Sequence, residues 1–150
     1  MLLRRMWFVV PAVALALAAC GDDTIGPGEL KQADIAGNWT VKSAVYKEIN
    51  SSRKVDLIDD LHYTGTAIVN DAGGFSQTFT TPVGPTTRTG LMTVTTAGVT
   101  LTPDGQAPRP VQVSLKGNTL TIVEQNVEFD VNNDGTPDRT DYTQTWEKKQ

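Results

Sequence analysis

From Ile35 onward, apolar and polar side chains exchange places every second residue in short runs broken by turn residues. That period belongs to strands with one dry face and one wet face. Trp39, Val41, Ser43 and Val45 alternate with Thr40, Lys42, Ala44 and Tyr46 in the first run. A polar stretch from Asn50 to Asp60 follows, in which Val55–Leu61 could form a short helical turn. Tyr63–Asn70 and Phe75–Thr81 flank Asp71-Ala-Gly-Gly74. The loop Pro82-Val-Gly-Pro85 leads to Arg88–Thr95, and Ala97-Gly98 to Val99–Thr102. Val111, Val113 and Leu115 alternate with Gln112, Ser114 and Lys116, and Gly117-Asn118 is a two-residue hairpin signal. Thr119–Phe129 and Arg139–Lys148 form the last pair. Short connections favour antiparallel neighbours, so the eight runs predict an all-β meander. Eight such strands can close into an up-and-down barrel without edges. An immunoglobulin-like sandwich is the alternative, but the Cys…Trp…Cys spacing of that fold is missing. Ile68, Phe75, Phe79, Met92, Leu101 and Ile122 are among the candidate inward residues.

The chain before Ile35 is different. Met1-Leu-Leu-Arg-Arg5 is basic, Met6–Leu17 is apolar and uncharged, and small residues lead to Cys20. Basic, apolar, small is the order of an export signal. The apolar run is shorter than the roughly 20 residues of a spanning helix and contains Pro11, so a transmembrane anchor is the weaker reading. Cys20 is the single cysteine of 150 residues, which excludes an intramolecular disulfide. Leu17-Ala18-Ala19-Cys20 resembles the lipobox of bacterial lipoproteins. That resemblance implies residues 1–19 as a signal peptide, acylation of Cys20, and anchoring of the chain to a membrane of the cell envelope. Asp22 stands one place later than an inner-membrane retention signal would, which favours the outer membrane. Residues 20–33, polar and Gly-rich with one Pro, are expected to be a flexible tether holding a domain of residues 34–150 clear of the bilayer.

Charge narrows the partners. Removing the leader takes away Arg4 and Arg5 and no acids, which moves the formal net charge from −4 to about −6. An acidic domain does not suit nucleic acid, which needs phosphate-neutralising cations.

Gly37-Asn-Trp39, at the head of the first strand of an eight-stranded meander, resembles the lipocalin-like superfamily, in particular the small lipocalin-like domains of bacterial lipoproteins. The resemblance implies that Trp39 packs across the closed floor of the barrel and that Gly37 allows close approach beneath it. Family members often stack a basic residue of the last strand on that tryptophan, where Trp146-Glu-Lys-Lys149 offers only lysines. The same residues also read simply as core aromatics.

The sharpest chemical pattern is Asp130-Val-Asn132-Asn-Asp134-Gly135-Thr136-Pro-Asp138-Arg-Thr-Asp141. Oxygen-bearing side chains fall at positions 1, 3, 5, 9 and 12 of an EF-hand-type calcium loop, with glycine at 6 and the Thr136 carbonyl at 7. Calcium wants six to eight hard oxygens, so alternate residues of a tight loop must turn inward. Strands rather than helices flank this loop, and position 12 is an aspartate rather than the longer glutamate. A structural calcium ion pinning the last hairpin is the expectation, and a solvated acidic turn is the alternative.

Catalytic patterns are lacking. His62 is the single histidine, and no Gly-x-Ser-x-Gly or phosphate-binding glycine loop is present. Asp56, Asp59 and Asp60 read as a solvated cluster, and Glu124 and Glu128 as a pair on one strand face directed at water. The chain is therefore expected to be a non-enzymatic, envelope-anchored binding module for a small apolar ligand. The alternative is a packed barrel that contacts another envelope protein, with an enzyme or enzyme inhibitor on the same barrel a third reading.

Overall fold

A computed structural model describes residues 24–25 and 29–150, so the expected signal peptide, Cys20 and the lipobox-like Leu17–Cys20 lie outside the described residues. The described chain forms β1 (Thr24–Ile25), α1 (Gln32–Ile35), β2 (Gly37–Glu48), β3 (Lys54–Asp56), β4 (Thr64–Val69), β5 (Gly74–Thr81), β6 (Gly84–Thr95), β7 (Gly98–Pro103), β8 (Arg109–Lys116), β9 (Thr119–Phe129) and β10 (Asp138–Lys148). Strands β2 and β4 to β10 pair antiparallel in the order β2-β4-β5-β6-β7-β8-β9-β10, and β10 returns to β2. This is the eight-stranded closed up-and-down barrel that the alternation predicts. Closure gives every barrel strand a neighbour on each side and so removes most of the free sheet edge.

One end of the barrel is closed. Gly37, Val69, Gly74, Lys116, Thr119 and Lys148 mark it by register. Helix α1 lies across it, with Ile35 fully buried and the Gln32 Oε1 accepting the Val94 N–H at 3.1 Å. The Asp34 carboxylate accepts the Lys31 N–H at 2.8 Å and caps this short turn. The segment 20–33 is thus not free chain throughout, as the tether expectation had it. Leu30 is buried and β1 pairs with β8, Thr24 opposite Lys116 and Ile25 opposite Leu115. The reason lies in β8. Its register with β7 runs only from Val111 to Arg109, which leaves the second half of β8 open on that side for β1 to cover.

Two β-bulges interrupt the alternation. Between Trp146 opposite Val41 and Thr145 opposite Ser43, β2 carries the extra residue Lys42. Ala44 and Tyr46 then turn inward in place of Ser43 and Val45. Between Thr140 opposite Val127 and Tyr142 opposite Glu124, β9 carries an extra residue at Gln125–Asn126, where Asn126 has φ 56. A bulge adds twist and re-aims side chains. Here the two bulges bring Tyr46, Val127 and Phe129 to the other, open end of the barrel. Ile68 is 55% exposed and points outward, contrary to its place among the inward candidates.

The expected helical turn at Val55–Leu61 is a single one, with the Asp60 N–H on the Asp56 carbonyl at 2.9 Å, and it follows the short strand β3 and wraps on the Asp56 side chain. Its carboxylate accepts the Ser43 hydroxyl at 2.8 Å, the Ala44 N–H at 3.1 Å and the Ile58 N–H at 2.9 Å. Partial burial works to raise the Asp56 pKa, but these donors outweigh it and hold the carboxyl below its usual range. A carboxyl depressed on folding contributes stability above its unfolded value near ~3.9, and that stability is lost as pH falls through the folded value. Asp56→Ala is expected to cost about 1–2 kcal/mol at neutral pH, as loss of hydrogen bonds to a charged group does at a half-buried site. In urea titrations at a series of pH values, the gap to the parent should close below pH ~4.

Candidate functional site

The barrel interior is layered. At the closed end Trp39, fully buried, donates its indole N–H to the Ile35 carbonyl at 3.0 Å. Its ring meets Trp146 at 6.5 Å between centroids, tilted by 53°. The Lys148 ammonium lies 5.3 Å from the Trp39 ring centroid, within cation–π range. Gly37, at φ +138, lies against Lys148, and a Cβ there would stand 2.9 Å from the Lys148 Cε. Above this floor Met92, Leu101, Val113 and Ile122 fill the bore. The enclosed space bounded by Phe75, Met92, Leu101, Ile122 and Trp146 is about 10 Å³, no more than one water.

A polar belt caps that packing. Glu124 is 1% exposed and sits between two arginines. Arg88 grips it with both terminal nitrogens, Nη1 to Oε1 at 2.9 Å and Nη2 to Oε2 at 3.0 Å. Arg109 donates its Nε to Oε2 at 3.0 Å, and its Nη2 also reaches Oε2. Gln144 donates to Glu124 at 3.4 Å, Gln77 donates to Gln144, and the Trp146 indole N–H donates to Gln144 at 3.1 Å. Arg88 also lies 5.8 Å over the Phe75 ring. The two arginine side chains remain partly exposed, at 28% and 31%. One carboxylate against two guanidiniums leaves this belt with an excess positive charge.

Glu124 was expected to face water beside Glu128. The bulge at Gln125–Asn126 separates them, so Glu124 is buried and Glu128 is exposed. A signal for the belt does exist in the chain. Glu124 shares the parity of Leu120 and Ile122, Arg88 that of Met92 and Val94, and Arg109 that of Val111 and Val113. Two cations and one anion on the inward parity of three strands fit a buried ion cluster.

Outside the belt the barrel opens. Tyr46 stacks on Tyr142 at 4.0 Å and on Phe129 at 3.9 Å, nearly parallel to both. Burial, and after it the Glu124 charge, raises the Tyr46 pKa. Burial drives Tyr142 far above the usual phenol range. Both phenols therefore stay neutral at any physiological pH. Tyr46, Tyr142, Val127, Asn126, Gln106 and the belt bound a mouth cleft of about 520 Å³. That volume falls within the range of small-molecule sites. The arrangement can orient a polar group on the arginines and an apolar portion against the tyrosines and Val127.

The 130–137 loop joins β9 to β10 at the same open end. Its carboxylates are held by the loop's own amides. Asp130 accepts the Asp134 N–H at 3.1 Å and the Gly135 N–H at 2.8 Å. Asn132 accepts the Asp134 N–H at 2.9 Å. Asp134 accepts the Thr136 N–H at 2.8 Å, and this bond, with help from Asn132, holds its carboxyl below the usual range. Asp138 accepts the Val131 N–H at 3.1 Å and Asp141 the Asn126 N–H at 3.3 Å. Gly135 makes the central turn at φ +87, which only glycine adopts freely. The donors are hard oxygens of the kind calcium takes. As arranged, no group of three or more acidic, histidine or cysteine side chains converges on an ion position among the described residues. His62, at φ 56, is an exposed loop residue and lines none of these features.

Comparison of the chain with protein-family models, with curated proteins and with solved structures finds no match in any of the three. The class that the fold itself defines is a small closed antiparallel β-barrel with one sealed end and one open, arginine-based mouth.

Proposed function

We propose that this chain is an envelope-anchored, lipocalin-like binding module that takes a small ligand at the open end of its barrel. The observation that carries the reading is the mouth cleft seated on the Arg88–Glu124–Arg109 belt. The sequence alone points to a small apolar ligand. The filled bore moves the ligand outward to the mouth, and the belt gives it a polar head, so its class becomes a small amphipathic molecule. The export signal and the lipobox-like Leu17-Ala18-Ala19-Cys20 support anchoring through an acylated cysteine, with the outer membrane favoured by Gly21 standing before Asp22.

Native mass spectrometry of the purified full chain tests this reading. A retained small-molecule mass is expected. Val127→Arg, which puts a long charged side chain into the cleft without touching Glu124, should abolish that mass while leaving the thermal transition near that of the parent. A ligand-free parent, after incubation with envelope extract, would favour the second reading, a packed barrel that contacts another envelope protein. The filled bore is what recommends that alternative.

We further propose that the 130–141 loop takes calcium, which would tie β9 to β10 beside the mouth. Support comes from the spacing of Asp130, Asn132, Asp134, Thr136, Asp138 and Asp141 and from the glycine turn at Gly135. Bound ion would draw these carboxylates away from the amides they now accept. Calcium at a hundred times its dissociation constant stabilises by about 2.7 kcal/mol. Thermal unfolding in millimolar calcium should therefore exceed that in chelator by roughly 8 °C for a domain of this size, and Asp130→Ala should erase the difference. Equal transitions in calcium and chelator would reduce the loop to an acidic turn.

A further inference from the structure

We infer that the barrel stands with its closed end on the bilayer and its mouth turned away from it, so that the ligand site exchanges with the aqueous side. The inference rests on the proposed acylation of Cys20. The argument is one of reach. Strand β1 is fixed on β8 with Thr24 opposite Lys116, beside the Gly117-Asn118 turn at the closed end. Four peptide steps separate Cys20 from Thr24, and a fully extended chain covers at most ~3.6 Å per step, or about 14 Å. An acylated cysteine is held at headgroup level, since its chains lie in the hydrocarbon. The 12 residues of β2 run from one barrel end to the other. At ~3.3 Å per residue and the usual barrel tilt they span roughly 30 Å. The leash is therefore shorter than the barrel is tall. A chain that leaves at the closed end cannot bring the mouth to the membrane without first stripping β1 from β8.

Charge acts in the same direction. At the open end the Asp59–Asp60 turn and the four aspartates of the 130–141 loop outnumber the cations around them, Lys47, Arg53, Lys54 and Arg139. Lys31, Lys116, Lys148 and Lys149 balance Glu29, Asp34, Asp71 and Glu147 at the closed end, which is the less acidic of the two ends. Bacterial and other anionic leaflets attract basic segments and repel acidic ones. The partner of the closed end is a lipid surface, and the mouth is left to solvent.

The test uses the full chain with Cys20 acylated, which blocks that thiol and frees a second cysteine for labelling. Asn118→Cys reports the closed end. Val83→Cys, at a position 99% exposed in the β5–β6 turn, reports the open end. Each is labelled with a fluorophore and reconstituted into phosphatidylethanolamine–phosphatidylglycerol vesicles carrying a headgroup nitroxide. Quenching is expected to be several-fold stronger at residue 118 than at residue 83. A long Gly/Ser insertion after Asp23, which leaves the barrel untouched, should shrink the difference. Equal or reversed quenching in an acylated protein would overturn the orientation and leave anchoring intact, as would a difference unchanged by the insertion. An intact mass without acyl chains would overturn both.

Discussion

Glu124→Ala is expected to lower the unfolding free energy by about 3 kcal/mol, the low end of what removing one member of a buried ion cluster costs. The loss comes from what remains. Arg88 and Arg109 have folded around a carboxylate that is 1% exposed, and without it two cations face each other over an apolar bore. Both arginine side chains remain partly exposed, which is why the cost stays at the low end. For a domain of this size the transition should fall by about 10 °C. Thermal unfolding with calcium held constant measures it. Glu124→Gln should recover little, because an amide keeps the shape but not the charge. The more telling variant combines Glu124→Leu, Arg88→Met and Arg109→Leu. Replacing a whole buried ion cluster by packed apolar residues is often neutral or stabilising. If that triple variant folds with parental stability and retains no ligand, the belt is kept for binding and not for stability. If it folds and still carries the ligand, the mouth reading fails while the fold account stands.

That belt also marks the limit of what alternation can tell. Strand β9 was legible from Thr119 to Phe129, and β10 to within one residue, because Val, Ile, Thr and aromatic residues alternate there between strong turn signals. The meander followed from short connections, and closure into a barrel from eight of them. What alternation could not show is where the phase slips. A bulge costs one residue and leaves no composition mark. Yet it moved Tyr46 inward on β2, and on β9 it separated Glu124 from Glu128. Helix α1 escaped notice because four residues are too few for a helical period. It holds because Ile35 is buried beneath the barrel and because Asp34 caps its first turn. Likewise β1 is two residues inside a polar, glycine-rich segment. Only the uncovered half of β8 gives it a reason to pair. The acidic loop was legible as a chemical pattern, but its side-chain arrangement depends on which of amides and cation the carboxylates take, and that competition is not written in spacing.

Trp39→Ala should have the largest effect of any single change, about 4 kcal/mol, within the range for truncating a buried large aromatic. Three contacts fail together. The indole N–H no longer meets the Ile35 carbonyl, which holds α1 against the closed end. Trp146 loses its tilted neighbour, and Lys148 loses the ring face beneath its ammonium. Trp39→Phe separates these parts. It keeps most of the apolar volume and a face for Lys148 but cannot donate to Ile35, so a loss of about 1–2 kcal/mol is expected, mostly from the orphaned carbonyl. Urea titration followed by far-ultraviolet circular dichroism measures both. Hydrogen exchange at Ile35 and Ala36 should rise in each variant, while exchange in the open-end half of β5, from Thr78 to Thr81, stays at the parental rate in the Phe variant. Loss of protection throughout the barrel in Trp39→Phe would mean that the floor contact is needed to hold the whole sheet closed, and not only to seal its end.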